Sequence, residues 1–346
     1  MKEFIIGPNE AGQRLDKYIH KCWKDCPSSL LYKLLRKKSI TVNGKKADAS
    51  VHLNEGDLIR IFVSDDTFLK FNGQTAEQTY EEKRMAETGI TVLYRDRNIM
   101  LLNKPAGILS QKAEAADYSC ADFCRDYCIR EGILSLEELK TFKPGICSRL
   151  DRNTSGIMTA GISFRGLQEA NALIYDHAIG KYYLAIVKGK MKEKKGMLFA
   201  AHRKNHEKNQ AELKLLERAS DYRPEAGSHL IQTGYAVVAE GRDASLLLVK
   251  LVTGQTHQIR AHFAAIGHPL AGDMKYGDAD WNRKLKEYAC SRQMLHAYKL
   301  VFPNIEQNGA ALKNLSGRTF YCPVPEDMKH TMEGLEILWQ PGTAED

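Results

Sequence analysis

Seven short apolar runs between residues 92 and 302 constrain the fold of this chain most strongly, because each has the length and apolar character of a β-strand. Two stretches with helical periodicity, 166–179 and 256–266, lie among them. This mixed order predicts an α+β fold, and the absence of a fixed-period repeat argues against a solenoid. The seven runs are 92–95, 98–105, 156–163, 182–189, 234–241, 245–254 and 295–302.

Residues 1–64 predict a small unit with a core of its own. The segments RLDKYIHKCW and LLYKLLRKK each carry apolar residues at helical spacing, and Pro27 separates them. After these two short helices, Asn43-Gly44 favours a two-residue hairpin turn, and residues 56–63 have the pattern of a closing strand.

Basic residues are concentrated in this N-terminal unit. The whole chain has 50 Lys and Arg against 43 Asp and Glu, a formal charge of +7. Between Arg14 and Lys46, however, there are ten basic residues and only two acidic ones. This local excess favours a surface that contacts nucleic-acid phosphates over one that is merely solvated. The cations expected at the exposed end of the second helix are Lys33, Arg36, Lys37 and Lys38.

A polar segment of weak periodicity at 65–88 divides the chain. We expect a linker there, a main domain at 89–330 and a C-terminal tail at 331–346. The basic tract at 188–209 is expected to form an exposed loop that can contact nucleic acid.

Eight cysteines raise the question of disulfides or a metal site. Cys22 and Cys26 are four residues apart, as are Cys120, Cys124 and Cys128, and this spacing stacks side chains along a helix face instead of forming a zinc knuckle. In a cytosolic chain such thiols stay reduced. We therefore expect neither a metal site nor a disulfide framework.

Several common catalytic motifs are absent from the sequence. It contains no GxxxxGK[ST] phosphate loop, no GxGxxG turn, no GxSxG elbow and no HExxH. These absences argue against nucleotide hydrolysis, dinucleotide redox chemistry, serine hydrolysis and zinc proteolysis. Because the sequence has neither an apolar stretch of about 18 residues nor a signal-peptide pattern, we expect a cytoplasmic protein without a membrane span.

One polar loop, CSRLDRNTSGI at 147–157, runs directly into an apolar strand. It places Arg149, Asp151 and Arg152 where catalytic groups are often displayed. Spacing alone leaves a second interpretation open, in which Asp151 only caps a turn by accepting backbone N–H bonds.

A second unusual segment, 252–273, predicts the end of a strand followed by a helix that Thr256 caps. Arg260, one turn into this helix, either holds a carboxylate in a bidentate pair or is a surface cation. His257 and His262 are five residues apart and do not share a helix face, so the pair does not indicate a metal site.

These segments together resemble the motifs of the RluA-type pseudouridine synthases, in particular the RluC/RluD-like group with an N-terminal S4 RNA-binding module. CSRLDRNTSGI is similar to their RLD-x-x-TSG motif, NKPAGIL at 103–109 to NKP-x-G, and KYYLAIVKG at 181–189 to K-x-Y-x-A-x-V-x-G. TGQTHQIRAHFAAIGHPLAGD resembles THQIR-x-H-x-x-x-x-GHP-x-x-GD, and LHAYKLVF completes the series. RLDKYI, VNGK and GDLI resemble the S4 module, so the resemblance covers most of residues 12–303 in family order.

The sequence departs from the family pattern at three places. Ser148 stands where the family commonly has His, Gln255 stands where it often has Arg, and the basic tract at 188–209 is longer than usual. None of these falls on the matched Asp, Tyr or Arg, so they bear on the identity of the target RNA more than on activity.

The resemblance implies a fold and a set of residue roles. The fold would be a mixed, largely antiparallel sheet of pseudouridine synthase type, preceded by a small S4-like α/β domain. Asp151 matches the essential aspartate, which either attacks C1′ or assists the departure of uracil through a glycal. Arg260 matches the arginine that pairs with it and keeps it charged, and Tyr183 matches the tyrosine that stacks on the base and can take part in proton removal at C5. Arg149 matches a residue that enters the RNA helix when the uridine flips out, and we expect Arg152 to contact RNA beside it.

The implied function is that of an RNA pseudouridine synthase, an isomerase that needs no cofactor and no metal. Members with an S4 module mostly act on large-subunit (23S-type) ribosomal RNA, so we expect that substrate, with transfer RNA as the open alternative. We also expect a monomer with no protein partner. A non-catalytic RNA-binding or ribosome-assembly factor is the alternative function, and a glycosidase is disfavoured because no second acid lies in a matched motif beside Asp151.

Overall fold

The computed structural model describes residues 1–71, 82–205, 210–306 and 309–341. These residues form two β-sheets, one of four strands and one of eleven, with helices packed against them. Among the described residues, no helix combines the length and the apolar character needed to cross a lipid bilayer.

The four-stranded sheet belongs to the N-terminal unit. Two helices, α1 (Leu15–Cys22) and α2 (Ser28–Arg36), share a hydrophobic core with it, as predicted. The predicted hairpin is also present, because Asn43 and Gly44 both have positive φ, 51° and 72°, as a two-residue turn between twisted strands requires. The strands are β1 (Lys2–Ile5), β2 (Ile40–Val42), β3 (Lys45–Lys46) and β4 (Leu58–Ile61), paired antiparallel in the order β1-β4-β2-β3.

Part of the expected linker packs into this N-terminal core. Phe68, in helix α3 (Asp65–Lys70), is buried and stacks on the fully buried Trp23 with ring centroids 5.3 Å apart. Helix α4 (Glu82–Glu87) lies in the same expected linker and buries Met85 in the core of the main sheet. Among the side chains that the structure describes, each of these polar helices buries one apolar residue, Phe68 or Met85. One buried residue per helix is too few to give the sequence an apolar pattern with helical period. Residues 72–81 lie outside the described residues.

The eleven-stranded sheet contains all seven strands that the apolar runs predict. Its strands are β5 (Thr91–Arg95), β6 (Ile99–Lys104), β7 (Gly145–Ile146), β8 (Ser155–Gly161), β9 (Gly180–Lys188), β10 (Lys195–Asn205), β11 (Gln210–Leu216), β12 (Ser228–Gly241), β13 (Ala244–Leu251), β14 (Leu295–Val301) and β15 (Thr319–Tyr321). The order is β11-β10-β12-β13-β9-β14-β8-β6-β5, with β15 paired to β14 and β7 to β8. Among these described strands, the β8–β14 pair is parallel and the other pairs are antiparallel, so the sheet is mixed and largely antiparallel.

Helices cover both faces of this sheet. They are α5 (Cys120–Arg130), α6 (Phe164–Tyr175), α7 (Gln258–Ala265), α8 (Ala279–Leu285) and α9 (Glu326–Gly334). Ile259 and Phe263 of α7 pack with Tyr183 and Ala185 of β9 on one face. The alternate residues of β9, such as Leu184, pack with α8 and α9 on the reverse face.

Two parts of the main domain differ from the prediction. The basic tract at 188–209 is an exposed loop only in part, because β10 begins at Lys195 and His202 within it is buried. The boundary drawn at residue 330 falls inside α9, and apolar residues beyond it such as Ile337 belong to the reverse-face core. Residues 206–209 and 342–346 lie outside the described residues.

Candidate active site

Asp151 lies in the loop that leads into β8, with its side chain 27% exposed. The turn after it is closed by its backbone carbonyl, which accepts the N–H of Thr154 at 3.0 Å. Its carboxylate instead accepts a hydrogen bond from Arg260, at 3.0 Å from Nη1 to Oδ2. The carboxylate is therefore directed away from its own turn and remains accessible, which favours the catalytic interpretation over the capped turn.

Lys104 fixes the backbone of this loop from one side. The residue is fully buried at the end of β6, and its ammonium donates to the carbonyls of Pro105, Ile108 and Arg152 at 2.8–2.9 Å. Burial lowers the pKa of Lys104 to about 8. At neutral pH the ammonium therefore remains mostly protonated and can use all three of its hydrogens. The NKP segment is thus tied directly to the residue after Asp151.

Two further residues hold the loop on either side of Asp151. The hydroxyl of Ser110 donates to the carbonyl of Leu150 at 2.8 Å and accepts the Leu150 N–H at 3.0 Å. On the other side, Arg292 donates to the carbonyl of Asn153 at 3.1 Å, and its guanidinium pairs with Asp327. The backbone that carries Asp151 is therefore held from both sides.

Arg260 forms its bidentate pair with Asp273, not with Asp151. Nε and Nη2 donate to the two oxygens of Asp273 at 2.6 and 2.8 Å, which leaves Nη1 for Asp151. The predicted contact with Asp151 is present, and so is the bidentate grip on a carboxylate, but the carboxylate held in this way is Asp273 and Asp151 accepts a single hydrogen bond.

Asp273 is buried and fully hydrogen-bonded. Burial alone would raise the pKa of Asp273, but the hydrogen bonds and charge of Arg260 and the N–H groups of Lys275 and Tyr276 hold it below its ordinary value. The preceding Gly272 has a φ of 72°, and a Cβ there would lie 1.9 Å from the carbonyl oxygen of Arg292. Only glycine fits at this position, so the Gly-Asp pair is a packing requirement as well as an electrostatic one.

Tyr183 lies on β9 opposite Ala297 of β14 and Val249 of β13, and only 7% of the residue is exposed. Burial raises the pKa of Tyr183 well above its ordinary value, and the negative charge of Asp151 adds to the shift. The side chain therefore stays a neutral phenol at neutral pH.

Arg149 and Arg152 flank Asp151, and both are exposed. The structure therefore groups Arg149, Asp151 and Arg152 in one loop and brings Arg260 to it. The N-terminal cations Lys33, Arg36, Lys37 and Lys38 form a separate exposed group at the C-terminal end of α2, and within the described part of the chain none of them makes an ion pair. Helix α7 is not capped by Thr256, because His257 is the N-cap residue and Gln258 accepts the N–H of Gln255.

Sequence reasoning missed four residues of this site: Lys104, His257, Asp273 and Tyr276. Lys104 and Asp273 stand in the quoted NKP and GD segments, but nothing in their spacing indicates which atoms they bind. In the ranges that the structure describes, no group of three or more His, Cys, Asp or Glu is arranged to hold a metal ion. The eight cysteines are free thiols.

Comparison with known proteins identifies the family. A sequence model described as RNA pseudouridylate synthase matches residues 98–265. The chain is 30% identical to the ribosomal large subunit pseudouridine synthase C of Vibrio vulnificus, over 87% of this chain and 89% of that protein. It is 29% identical to the protein of the same name from Escherichia coli, over 87% and 88% of the two chains.

The chain belongs to the RNA pseudouridylate synthase family. The fold agrees with this membership. The solved structure of human RNA pseudouridylate synthase domain containing 4 matches 74% of this chain and 96% of its own length, with a TM-score of 0.58 and 20% sequence identity. Pseudouridine synthases are isomerases, so the loop of Asp151 lies in a domain whose family rearranges a nucleoside within RNA.

Replacing Lys104 tests whether it fixes the catalytic loop. Lys104→Met leaves three partly buried carbonyls without their donor, and we expect the free energy of unfolding to fall by about 3 kcal/mol, measured by urea denaturation. The exposed Lys143→Met is the matched control, with an expected change within about 0.5 kcal/mol. Equal stability of the two variants would show that the three hydrogen bonds do not hold the loop.

Proposed function

We propose that this protein converts uridine to pseudouridine in large-subunit ribosomal RNA, with Asp151 acting at C1′ of the target nucleotide. The observation that carries the proposal is a single accessible carboxylate, Asp151, hydrogen-bonded to the buried Arg260 on a loop fixed from both sides. The names of the two bacterial relatives support ribosomal RNA as the substrate.

The chemistry needs little more than this carboxylate. The C1′–N1 bond breaks, the uracil turns over, C5 bonds to C1′, and the proton leaves C5 while N1 gains one. A carboxylate can attack C1′ or assist the departure of uracil through a glycal, and both routes require it to be ionised. Arg260 supplies a positively charged hydrogen-bond donor to this carboxylate, 3.0 Å from Nη1 to Oδ2. Electrons and atoms balance within the nucleoside, so the reaction needs no cofactor.

Tyr183 suits a stacking role. Its raised pKa makes the phenol a poor base at neutral pH, whereas its ring gives the uracil an aromatic surface beside Asp151. Arg149 and Arg152 project into solvent on either side of Asp151. We propose that Arg149 fills the space that the flipped uridine leaves in the RNA helix, and that Arg152 contacts the RNA beside it.

The N-terminal unit is assigned the role of an S4-like RNA-binding domain. Its two helices, antiparallel sheet and separate core form a small structural unit, and four exposed cations lie at the C-terminal end of α2. The catalytic domain then follows the linker and extends through α9 to core residues beyond it, such as Ile337. We further propose that the protein works as a cytoplasmic monomer.

Asp151→Asn tests the catalytic role. The amide has nearly the same size but cannot act as a nucleophile or carry the charge, so we expect isomerisation to fall by at least about a hundredfold while RNA affinity stays within about twofold. Tritium release from C5-labelled uridine in ribosomal RNA measures the rate, and filter binding measures affinity.

The matched control for this change is Asp243→Asn. Asp243 is exposed in the turn between β12 and β13, with a φ of 51° that Asn tolerates, so the control should retain wild-type activity. Activity of Asp151→Asn within tenfold of wild type would contradict the catalytic role of Asp151, whereas absence of isomerisation by the wild-type protein would favour the alternative function, a non-catalytic RNA-binding or ribosome-assembly factor.

Salt dependence tests the N-terminal cations. In the triple variant Lys33→Gln, Arg36→Gln and Lys37→Gln, the slope of log affinity against log salt should decrease by about 2 to 3, because each lost phosphate contact removes roughly 0.7–0.9. Lys38 is left unchanged because its backbone is left-handed, with a φ of 57°. The control is Lys143→Gln, Lys284→Gln and Lys286→Gln, which removes three exposed charges elsewhere. An equal slope in both triple variants would show that the α2 cations are solvated and do not contact RNA phosphates.

A further inference from the structure

His257 lies beside Asp151 in an uncommon backbone conformation. It is the N-cap residue of α7 with φ 56° and ψ 18°, in the left-handed region, and its side chain makes no capping hydrogen bond. Residues other than glycine adopt this conformation at a cost, and such outliers cluster at functional sites. The conformation brings the ring, 9% exposed, to within 3.9 Å of Asp151, measured from Nε2 to Oδ2.

The other ring nitrogen of His257 identifies its tautomer. Nδ1 lies 3.0 Å from the hydroxyl of Tyr276, and that hydroxyl accepts the backbone N–H of Ala211 at 2.6 Å. Because Ala211 can only donate, the single phenolic hydrogen is left for Nδ1. Nδ1 is then the acceptor, and the hydrogen of neutral His257 is on Nε2, facing Asp151.

Burial is the main reason why the pKa of His257 lies below its ordinary value, which favours the neutral ring at neutral pH. Burial lowers the pKa of His257, Asp151 opposes this shift, the cations Arg260 and Lys275 lower it further, and Asp273 opposes it. Tyr276 remains a donor, because burial raises the pKa of its phenol.

We propose that His257 and Tyr276 are positioning residues for Asp151, an inference that rests on the proposed role of Asp151. The Tyr276 hydroxyl holds His257 in the tautomer that presents an N–H to Oδ2. Oδ2 then faces two N–H groups, Arg260 Nη1 at 3.0 Å and His257 Nε2 at 3.9 Å. Within the described parts of the chain, Oδ1 accepts no hydrogen bond, so it is the oxygen left for C1′.

The longer of these two contacts is expected to shorten when RNA is bound, since catalytic hydrogen bonds often tighten only in the substrate complex. Ala211 belongs to β11, so hydrogen bonds connect this strand through Tyr276 to His257, whose ring lies 3.9 Å from the Asp151 carboxylate.

Tyr276→Phe tests the tautomer directly. It keeps the ring 5.2 Å from the Arg260 guanidinium and removes only the hydroxyl. His257 is then free to adopt the other tautomer, which turns a lone pair toward Asp151. We expect the single-turnover rate at about pH 8 to fall about tenfold, with RNA affinity within about twofold.

The pH dependence distinguishes positioning from a structural role. At pH values low enough to protonate His257, both ring nitrogens carry hydrogen, so Nε2 again presents an N–H to Asp151. The ratio of wild-type to Tyr276→Phe rates should therefore shrink towards one as the pH falls. Taking the ratio of the two rates at each pH removes the effects that are common to both proteins.

Two further variants complete the test. His257→Asn suits the left-handed backbone but lacks the imidazole. It should therefore be slow at every pH, and the ratio of wild-type to His257→Asn rates should not shrink as the pH falls. Tyr222→Phe is the matched control, because its hydroxyl donates to Ser228 at 2.8 Å without contacting His257, and it should behave as wild type.

Three results would overturn the proposal: a wild-type rate for Tyr276→Phe, a wild-type rate for His257→Asn, or a rate ratio for Tyr276→Phe that is constant with pH. If Tyr276→Phe does not fold, the rate of His257→Asn decides. Failure of the proposed function is distinguishable, because in that case wild-type protein would not isomerise ribosomal RNA.

Discussion

The two parallel hydrogen bonds between Arg260 and Asp273 are the interaction on which the rest of the site depends. They occupy one edge of the guanidinium, so the remaining Nη1 has a fixed direction, and that direction is toward Asp151. Both partners are buried, and removing one member of a buried pair commonly costs about 3–5 kcal/mol because the other charge is left uncompensated. The pair therefore fixes the position of Arg260 in the core, and Arg260 in turn orients the Asp151 carboxylate.

The backbone around Asp151 is also held in place by buried cations. Lys104 binds three carbonyls on one side of the loop, and Arg292 binds the carbonyl of Asn153 on the other. Each cation comes from a different part of the chain, so β6 and the segment before β14 meet at one short loop. Such pre-organisation lowers the cost of bringing a carboxylate to a reacting atom, since its orientation is fixed before RNA binds.

The sequence predicted the elements whose burial is strong and periodic, and it missed those whose stability comes from distant partners. All seven apolar strands are present, whereas β10 and β11 escaped detection because their polar residues pair at the edge of the sheet. The Asp151–Arg260 contact was predicted through family motifs. The bidentate partner Asp273 was not, because residue type and spacing do not reveal which of two carboxylates takes the fork. The left-handed His257 also has no signal in its own sequence, since the preceding threonine has the pattern of an ordinary helix cap.

A double-mutant cycle between Arg260 and Asp273 tests the central claim most directly. Single-turnover rates would be measured for Arg260→Lys, Asp273→Asn and the double variant, after circular dichroism confirms that each is folded. Lysine cannot form two parallel hydrogen bonds with a carboxylate. In Arg260→Lys, Asp273 therefore no longer directs a hydrogen-bond donor toward Asp151, and removing its charge should have little further effect. We expect each single change to slow the reaction at least about tenfold and the double variant to be no slower than the slower single, a coupling of about 1 kcal/mol or more. Effects that simply multiply would show that Asp273 does not act through Arg260, and would contradict the account.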